Sequence, residues 1–423
     1  MSRAPEQTVD PIRWCAALAF TFWVAVLWNL AIPTAPYFDE VHYLPAARDL
    51  LVLGEFSNRE HPLFGKEMIA LGIEVFGDNP WGWRLMSSLA GALALFAVMR
   101  AVWFATLSRY ATLTSGVLVA TGFHLFVHAR IAMLDIFMIA ALAVAFWQLA
   151  AAMREPETGR RRLIFAGIAL GLAMAAKWNA LIIAALPGLG FLALRWFAGR
   201  RRLLLSRRGM PVPGITLLEA FVWLGLLPLA VYWLTFSPGY FFAVNPIAEG
   251  IVAHHRVMLD LQTQVLPPHN YQSTWPEWIA NWRALWYLYE PVDGAQRGVM
   301  LIGNPLTMLL GLPALLWCAW QGIAARRPAH GALALLYAIS LGFWIFAAKP
   351  VQFYHHYFLP GTMLLVALAL ALDDLRSAGW RRTAWIVPAA SLVVFVYFYP
   401  ILAAESLAGP MSFKAWAWLP SWK

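Results

Sequence analysis

Eleven apolar runs, each near the length a helix needs to cross a bilayer, dominate this sequence. They fall at about 14–31, 84–104, 111–127, 132–152, 163–176, 180–197, 217–236, 299–320, 332–347, 357–372 and 383–399. A spanning helix takes about 20 mostly apolar residues. The chain is 61% hydrophobic and only 13% charged, where a soluble domain is about half apolar and a quarter charged. Lipid must therefore be the solvent for much of the molecule, and the expected fold class is an all-α polytopic membrane protein. The first run is too long for a cleaved signal peptide and is read as an anchor.

The net charge of +9 does not point to nucleic acid. The basic residues sit in short clusters between apolar runs, which is how membrane proteins fix their orientation. With the N-terminus inside and the runs alternating, the inner segments hold 19 of the 31 basic residues, including Arg3 and Arg200–Arg202, but 7 of the 22 acidic ones. This predicts a cytoplasmic N-terminus and two long outer segments, 36–83 and 237–298. It divides the chain into an N-terminal catalytic transmembrane module with the first outer loop (1–236), the second outer loop (237–298), and a four-helix module with its tail (299–423). The tail carries Trp416, Trp418 and Trp422, a composition suited to an interfacial anchor. The basic stretch 195–213 reads as a solvated loop against lipid headgroups. Cys15 and Cys318 give no disulfide framework and no cysteine metal site.

The polar residues that carry chemistry fall on the outer side. Tyr37-Phe38-Asp39-Glu40-Val41-His42-Tyr43 follows the first run. Adjacent carboxylates beside a membrane are costly to place without use. They suggest a general base and a neighbour that tunes it or binds metal or substrate, although Asp39 could equally cap a helix. In Asn58-Arg59-Glu60-His61-Pro62-Leu63-Phe64-Gly65-Lys66, the Pro and Gly mark a turn. Glu60 and His61 could reach the same cleft, and Lys66 could meet a phosphate as a point charge; an ordinary surface loop is the other reading.

Arg130 could clamp a phosphate with two parallel bonds, and Asp135 could orient it or bind sugar; a structural ion pair between helix ends fits the same residues. Lys177 lies at membrane depth, where a lysine is either functional or snorkelling. Lys349 precedes Phe353-Tyr354-His355-His356-Tyr357, whose adjacent histidines are poorly spaced for one metal. His269 sits among interleaved aromatic and polar residues at 267–278, a composition that stacks on sugar rings and also makes interface belts. A proton relay or transporter would spread its ionisable groups toward both faces; here they converge on one.

In this order the motifs resemble those of the dolichyl- or polyprenyl-phosphate-mannose–protein O-mannosyltransferases, of the bacterial type, within the membrane glycosyltransferase C superfamily. Phe38 through Tyr43 resembles the family's Asp-Glu motif. His61-Pro62-Leu63-Phe64-Gly65-Lys66 is similar to its His-Pro-Pro-Leu-Gly-Lys stretch, with Leu63 in place of the second proline. Arg130 with Leu134-Asp135, Gly171 through Lys177-Trp178, Tyr271-Gln272-Ser273 through Trp286-Tyr287, Gly303-Asn304-Pro305 and the His355-His356 segment follow in register. The resemblance implies a glycosyltransferase C-type fold of about 11 transmembrane helices with two long outer loops, and an inverting transferase. Asp39 would be the catalytic base with Glu40 beside it. Arg130, Lys177, Lys349 and Lys66 would be candidates for the donor phosphate, and His61, Asp135, His269 and His355 for substrate.

The implied partners are a polyprenyl-phosphate mannose donor in the lipid bilayer and a protein serine or threonine acceptor, with no nucleic acid. The implied location is a bacterial inner membrane. The second outer segment, of ~60 residues, is too short for the β-trefoil insertion of eukaryotic members. Transfer of another sugar, such as an aminopentose, to a glycolipid is an alternative, and a polyprenol-linked sugar transporter is another. No cofactor is expected. A divalent metal at Asp39, Glu40 and His61 is compatible with the residue types, but nothing in their spacing demands it.

Overall fold

The computed structural model describes residues 9–198, 203–244, 247 and 250–423. Arg3 and Arg200–Arg202, counted above in the charge bias, lie outside the described residues. In chain order the helices are α1 (Ile12–Leu27), α2 (Glu40–Val52), α3 (Phe64–Phe76), α4 (Pro80–Thr106), α5 (Arg109–Ala120), α6 (His124–His128), α7 (Leu134–Arg154), α8 (Gly159–Ala176) and α9 (Ala180–Ala198). A π-turn at Val222–Leu226 joins α10 (Leu217–Phe221) to α11 (Leu227–Leu234). Then come α12 (Ile251–Thr263), α13 (Trp275–Ile279), a β-hairpin, α14 (Pro305–Ala324), α15 (Pro328–Phe346), α16 (Phe358–Ser377) and α17 (Arg381–Leu402).

Among the described residues, eight helices are long and apolar enough to cross a membrane. The chain is a multipass membrane protein. Three of the eleven expected spans fall short of that standard. α1 has 16 residues. The run at 111–127 is broken between α5 and α6, where Phe123 takes φ 76°. α8 opens with Arg160-Arg161-Arg162.

The fold is mostly helical, as expected, with a two-stranded hairpin added to it among the described residues. Strands β1 (Leu285–Val292) and β2 (Ala295–Leu301) pair antiparallel across Asp293-Gly294, both with positive φ (48° and 72°), the pair that a tight primed hairpin turn requires. Val299–Leu301, expected to open a span, thus belongs to β2. The helix begins at Pro305, behind Asn304, whose side chain accepts from Leu306 N at 3.2 Å. The hairpin packs on the tail: Trp286 Nε1 donates to Trp422 O at 2.8 Å and Arg297 Nη1 to Ala404 O at 2.8 Å. Trp422, expected at the lipid interface, is therefore buried in protein. Cys15 and Cys318 are free and buried.

Two contacts arrange the functional end. A Cβ on Gly65 would stand 2.6 Å from Leu134 Cδ2 and 3.4 Å from Leu134 Cα, so α3 starts in close contact with the start of α7. A Cβ on Gly171 would stand 2.6 Å from Pro228 O, which seats α8 on α11. The C-terminal ends of α1, α8 and α15 and the N-terminal ends of α7 and α16 then share one end of the bundle, where the short helices α2, α3 and α12 also lie.

Candidate active site

After α1 the chain turns at Phe38, which holds φ 51°, a left-handed conformation uncommon for a bulky side chain. Its ring stacks on Tyr287 of β1, centroids 4.0 Å apart, and Tyr287 Oη lies 3.2 Å from His128 Nε2. The hairpin thereby anchors the residue before Asp39. Asp39 occupies the N-cap position of α2, yet its side chain makes no capping bond. The carboxylate instead accepts from Tyr43 Oη at 3.3 Å and lines a cavity of about 170 Å³.

Glu40, the next residue, does not line that cavity. Its two oxygens accept from Arg84 Nε and Nη2, both at 2.8 Å, and Oε1 also accepts from Ala132 N at 2.9 Å. Both side chains are fully buried. Glu40, expected beside the base in the chemistry, is held in this ion pair and stitches α2 to α4.

Two lysines line the same cavity as Asp39. Lys177, the residue that ends α8, lines the cavity, and its Nζ donates to both oxygens of Asp135 at 2.8 and 2.7 Å. Asp135 therefore sits behind Lys177, and its partner is this lysine rather than Arg130. Lys349 follows α15 and donates to Gln262 Oε1 at 2.9 Å; Gln262 Nε2 donates to Glu60 O at 2.8 Å. One amide on α12 thus ties the cavity's second lysine to the first outer loop. His61, His355 and His356 complete the wall with His42 and Glu60.

The electrostatics follow from burial. Asp39 is raised from the ordinary aspartate value by desolvation, which the nearby Lys177 offsets and Asp135 reinforces. Lys349 is lowered to about 8 by desolvation and by Lys177, against the pull of Asp39 and Asp135. His61 is held well below the ordinary imidazole value by desolvation and by Lys177, Lys349 and Lys66, so it stays neutral near pH 7.

The other candidates lie elsewhere. Lys66 is fully buried and donates to Asn58 O at 2.7 Å and His61 O at 3.0 Å. Its ammonium pins the 58–61 turn where a phosphate contact was expected. Arg130 donates to the carbonyls of Trp28 at 2.7 Å, Asn29 at 3.1 Å and Ala403 at 3.2 Å, and also to that of Val26. It satisfies carbonyls left open where α1 ends and does not line the Asp39 cavity, which corrects its reading as a phosphate clamp there. His269 is exposed and packs on Phe353, centroids 5.1 Å apart; Phe353, not His269, lines the cavity.

The family model for dolichyl-phosphate-mannose-protein mannosyltransferase matches residues 16–241, more than half of the chain. The chain belongs to this mannosyltransferase family. Polyprenol-phosphate-mannose–protein mannosyltransferases of Mycolicibacterium smegmatis and Mycobacterium tuberculosis are 27% and 28% identical to it, over 93% and 94% of this chain and 90% and 88% of theirs. The fold is that of the glycosyltransferase C superfamily. The Saccharomyces cerevisiae protein O-mannosyltransferase Pmt1-Pmt2 complex bound to the sugar donor matches with a TM-score of 0.83 at 14% identity, over 98% of this chain and 93% of that one. ArnT from Cupriavidus metallidurans bound to undecaprenyl phosphate matches at 0.56 and 18%, over 90% and 63%.

As a mannosyltransferase-family member, the chain brings Asp39, His61, Lys177, Lys349 and His355 to one cavity. Arg84 and Gln262 escaped sequence reasoning. Arg84 left a signal, since an arginine opening an apolar run needs a buried partner. Gln262 left none. Among the described residues, no three of His, Cys, Asp and Glu are arranged to hold a metal ion.

Proposed function

We propose that this chain moves mannose from a polyprenyl-phosphate donor to a serine or threonine hydroxyl of a protein, on the outer face of a bacterial plasma membrane, with Asp39 as base. The observation that carries the reading is the Asp39 carboxylate, which makes no capping bond, lining one cavity together with Lys177 and Lys349. In one displacement the acceptor oxygen bonds to the anomeric carbon as the carbon–phosphate-oxygen bond breaks. The hydroxyl proton passes to Asp39, and the electron pair leaves on the phosphate. Burial raises Asp39 and so makes it a stronger base. The lysines stabilise the charge developing on the leaving phosphate, which needs no separate acid, and attack opposite the phosphate inverts the anomeric centre.

The names of the mycobacterial relatives support the donor and the protein acceptor. The basic bias of the opposite loops supports an outward-facing site. The lysines also supply the positive charge that a divalent ion would otherwise bring, so the reaction is proposed to run without one; transfer by the purified protein should survive EDTA with less than a twofold change.

The experiment is sugar transfer from radiolabelled polyprenyl-phosphate mannose, wild type beside Asp39→Asn, with membrane proteins and lipids as acceptors. Label on protein that disappears in the variant is the expected result, with a loss of 10²- to 10⁴-fold, as for a general base. Label confined to lipid would refute the protein acceptor, and full activity in the variant would remove Asp39 from the chemistry.

A further inference from the structure

A cavity of about 1010 Å³ lies far from Asp39, between α5, α16 and α17 at the opposite end of the bundle. Its mouth carries Arg109, Arg376 and Arg381, and its floor is apolar, with Leu113, Val117, Pro388 and Leu392. Arg376 is already engaged, donating to Asp373 at 3.1 and 3.0 Å and lying 5.0 Å from the Tyr110 ring centroid. Arg109 and Arg381 are exposed, and among the described residues their guanidinium groups have no ion pair or hydrogen bond. Against three guanidinium groups the cavity holds one carboxylate, Asp373.

The groove is built rather than incidental. Tyr110 Oη donates to Ala384 O, and the Tyr110 ring meets Trp385 edge-on at 5.3 Å, so α5 and α17 are fixed at its mouth. Trp380 and Trp385 are both more than 60% exposed, at the depth where tryptophan marks the boundary between headgroups and hydrocarbon. From Arg381 to Leu392 a helix rises about 16 Å, roughly half of the ≈30 Å hydrocarbon core, which is the reach of one leaflet. A site with unpaired cations at headgroup level and an apolar trough one leaflet deep matches one molecule in shape and charge.

We propose that this groove binds an anionic phospholipid of the leaflet opposite the catalytic cavity, with Arg109 and Arg381 on its phosphate and the acyl chains along Leu113, Val117 and Leu392. Arginine suits the contact because its planar fork bonds two phosphate oxygens at once, and juxtamembrane arginines are attracted to anionic lipid surfaces.

The test is lipid retention by the full chain in detergent, counted by native mass spectrometry with added phosphatidylglycerol or phosphatidylcholine. The variants are the double substitution Arg109→Gln/Arg381→Gln and the control Arg161→Gln, which removes an exposed arginine from the same end of the bundle outside the groove. Among the described residues neither altered side chain has a hydrogen bond or ion pair, so folding is expected to survive, and a thermal melt of each variant checks this. One tightly held phosphatidylglycerol in wild type and in Arg161→Gln, with affinity about thirtyfold weaker in the double variant, is the expected result. Equal retention in the double variant, or equal retention of phosphatidylcholine, would overturn the proposal. So would competition by millimolar inorganic phosphate, which would mean an anion site without a lipid, or a dimer mass that disappears in the double variant, which would make the groove a contact between copies.

Discussion

Arg84 grips Glu40 through two hydrogen bonds of 2.8 Å inside the protein, one residue along from a carboxylate that opens onto the cavity. The two halves of the Asp-Glu motif thus do separate work. Glu40 fixes the frame by joining α2 to α4, and Asp39 is left free for chemistry. A buried pair stabilises little overall, but removing one member strands the other, at a cost of about 3–5 kcal/mol.

Glu40→Gln should therefore act on stability. The detergent-solubilised variant is expected to unfold several degrees below wild type, and its residual transfer should track the folded fraction. Asp39→Asn should melt within a degree or two of wild type while losing transfer, because its carboxylate supports no cap and only a 3.3 Å contact from Tyr43. A Glu40→Gln protein that melts normally but is inactive would return Glu40 to the chemistry.

Rate against pH should be bell-shaped. The base works only when ionised, so transfer falls as pH drops through the raised Asp39 value. Lys349 helps the phosphate only when protonated, so transfer falls again as pH rises through about 8. Lys349→Arg keeps its charge at every accessible pH and should carry activity beyond the wild-type alkaline limb. An unchanged limb in that variant would assign it to another group.

Arg130 and Lys349 should separate in kinetics. Lys349→Ala removes a cation that faces the cavity, and a loss of about 10²-fold in kcat/KM for the donor is expected, as for one preorganised charge in a water-poor site. Arg130→Gln leaves the carbonyls of Trp28 and Ala403 without the guanidinium that donates to them. Its effect should appear as a lower melting temperature with an unchanged donor KM. A raised donor KM in Arg130→Gln would restore the phosphate role.

What the sequence made legible was local. An uncompensated carboxylate just past an apolar run, a lysine ending another, and Pro-Gly turns bringing His61 near both need no partner to be recognised. What it hid was pairing over long separations. Glu40 meets Arg84 across 44 residues, and Arg130 meets Trp28 across 102; neither distance leaves a spacing to read. The span edge at Val299 failed for another reason. Val299-Met300-Leu301-Ile302 is apolar enough to open a helix and is just as suitable for a buried strand, because hydropathy cannot tell a short buried strand from a helix. Gly303-Asn304-Pro305, with a cap residue before a proline at the first helical position, was the better boundary signal.

Gln262 gives the most exposed test of the arrangement, because nothing but geometry singles it out. Its amide accepts from Lys349 Nζ at 2.9 Å and donates to Glu60 O at 2.8 Å, so α12 of the second outer segment holds both the 58–61 turn and the second lysine. Gln262→Ala should free Lys349 to swing and release the turn that carries His61. A fall of about tenfold in kcat/KM, the scale of one hydrogen bond to a charged group, is expected with little change in melting temperature, since Gln262 is only half-buried. Gln262→Glu should fall on the other side. A carboxylate there would raise the Lys349 value by favouring its charged form, which moves the alkaline limb upward, while its charge would repel the donor phosphate and raise the donor KM. A variant pair that leaves both the limb and the donor KM unmoved would mean that Lys349 is positioned without α12.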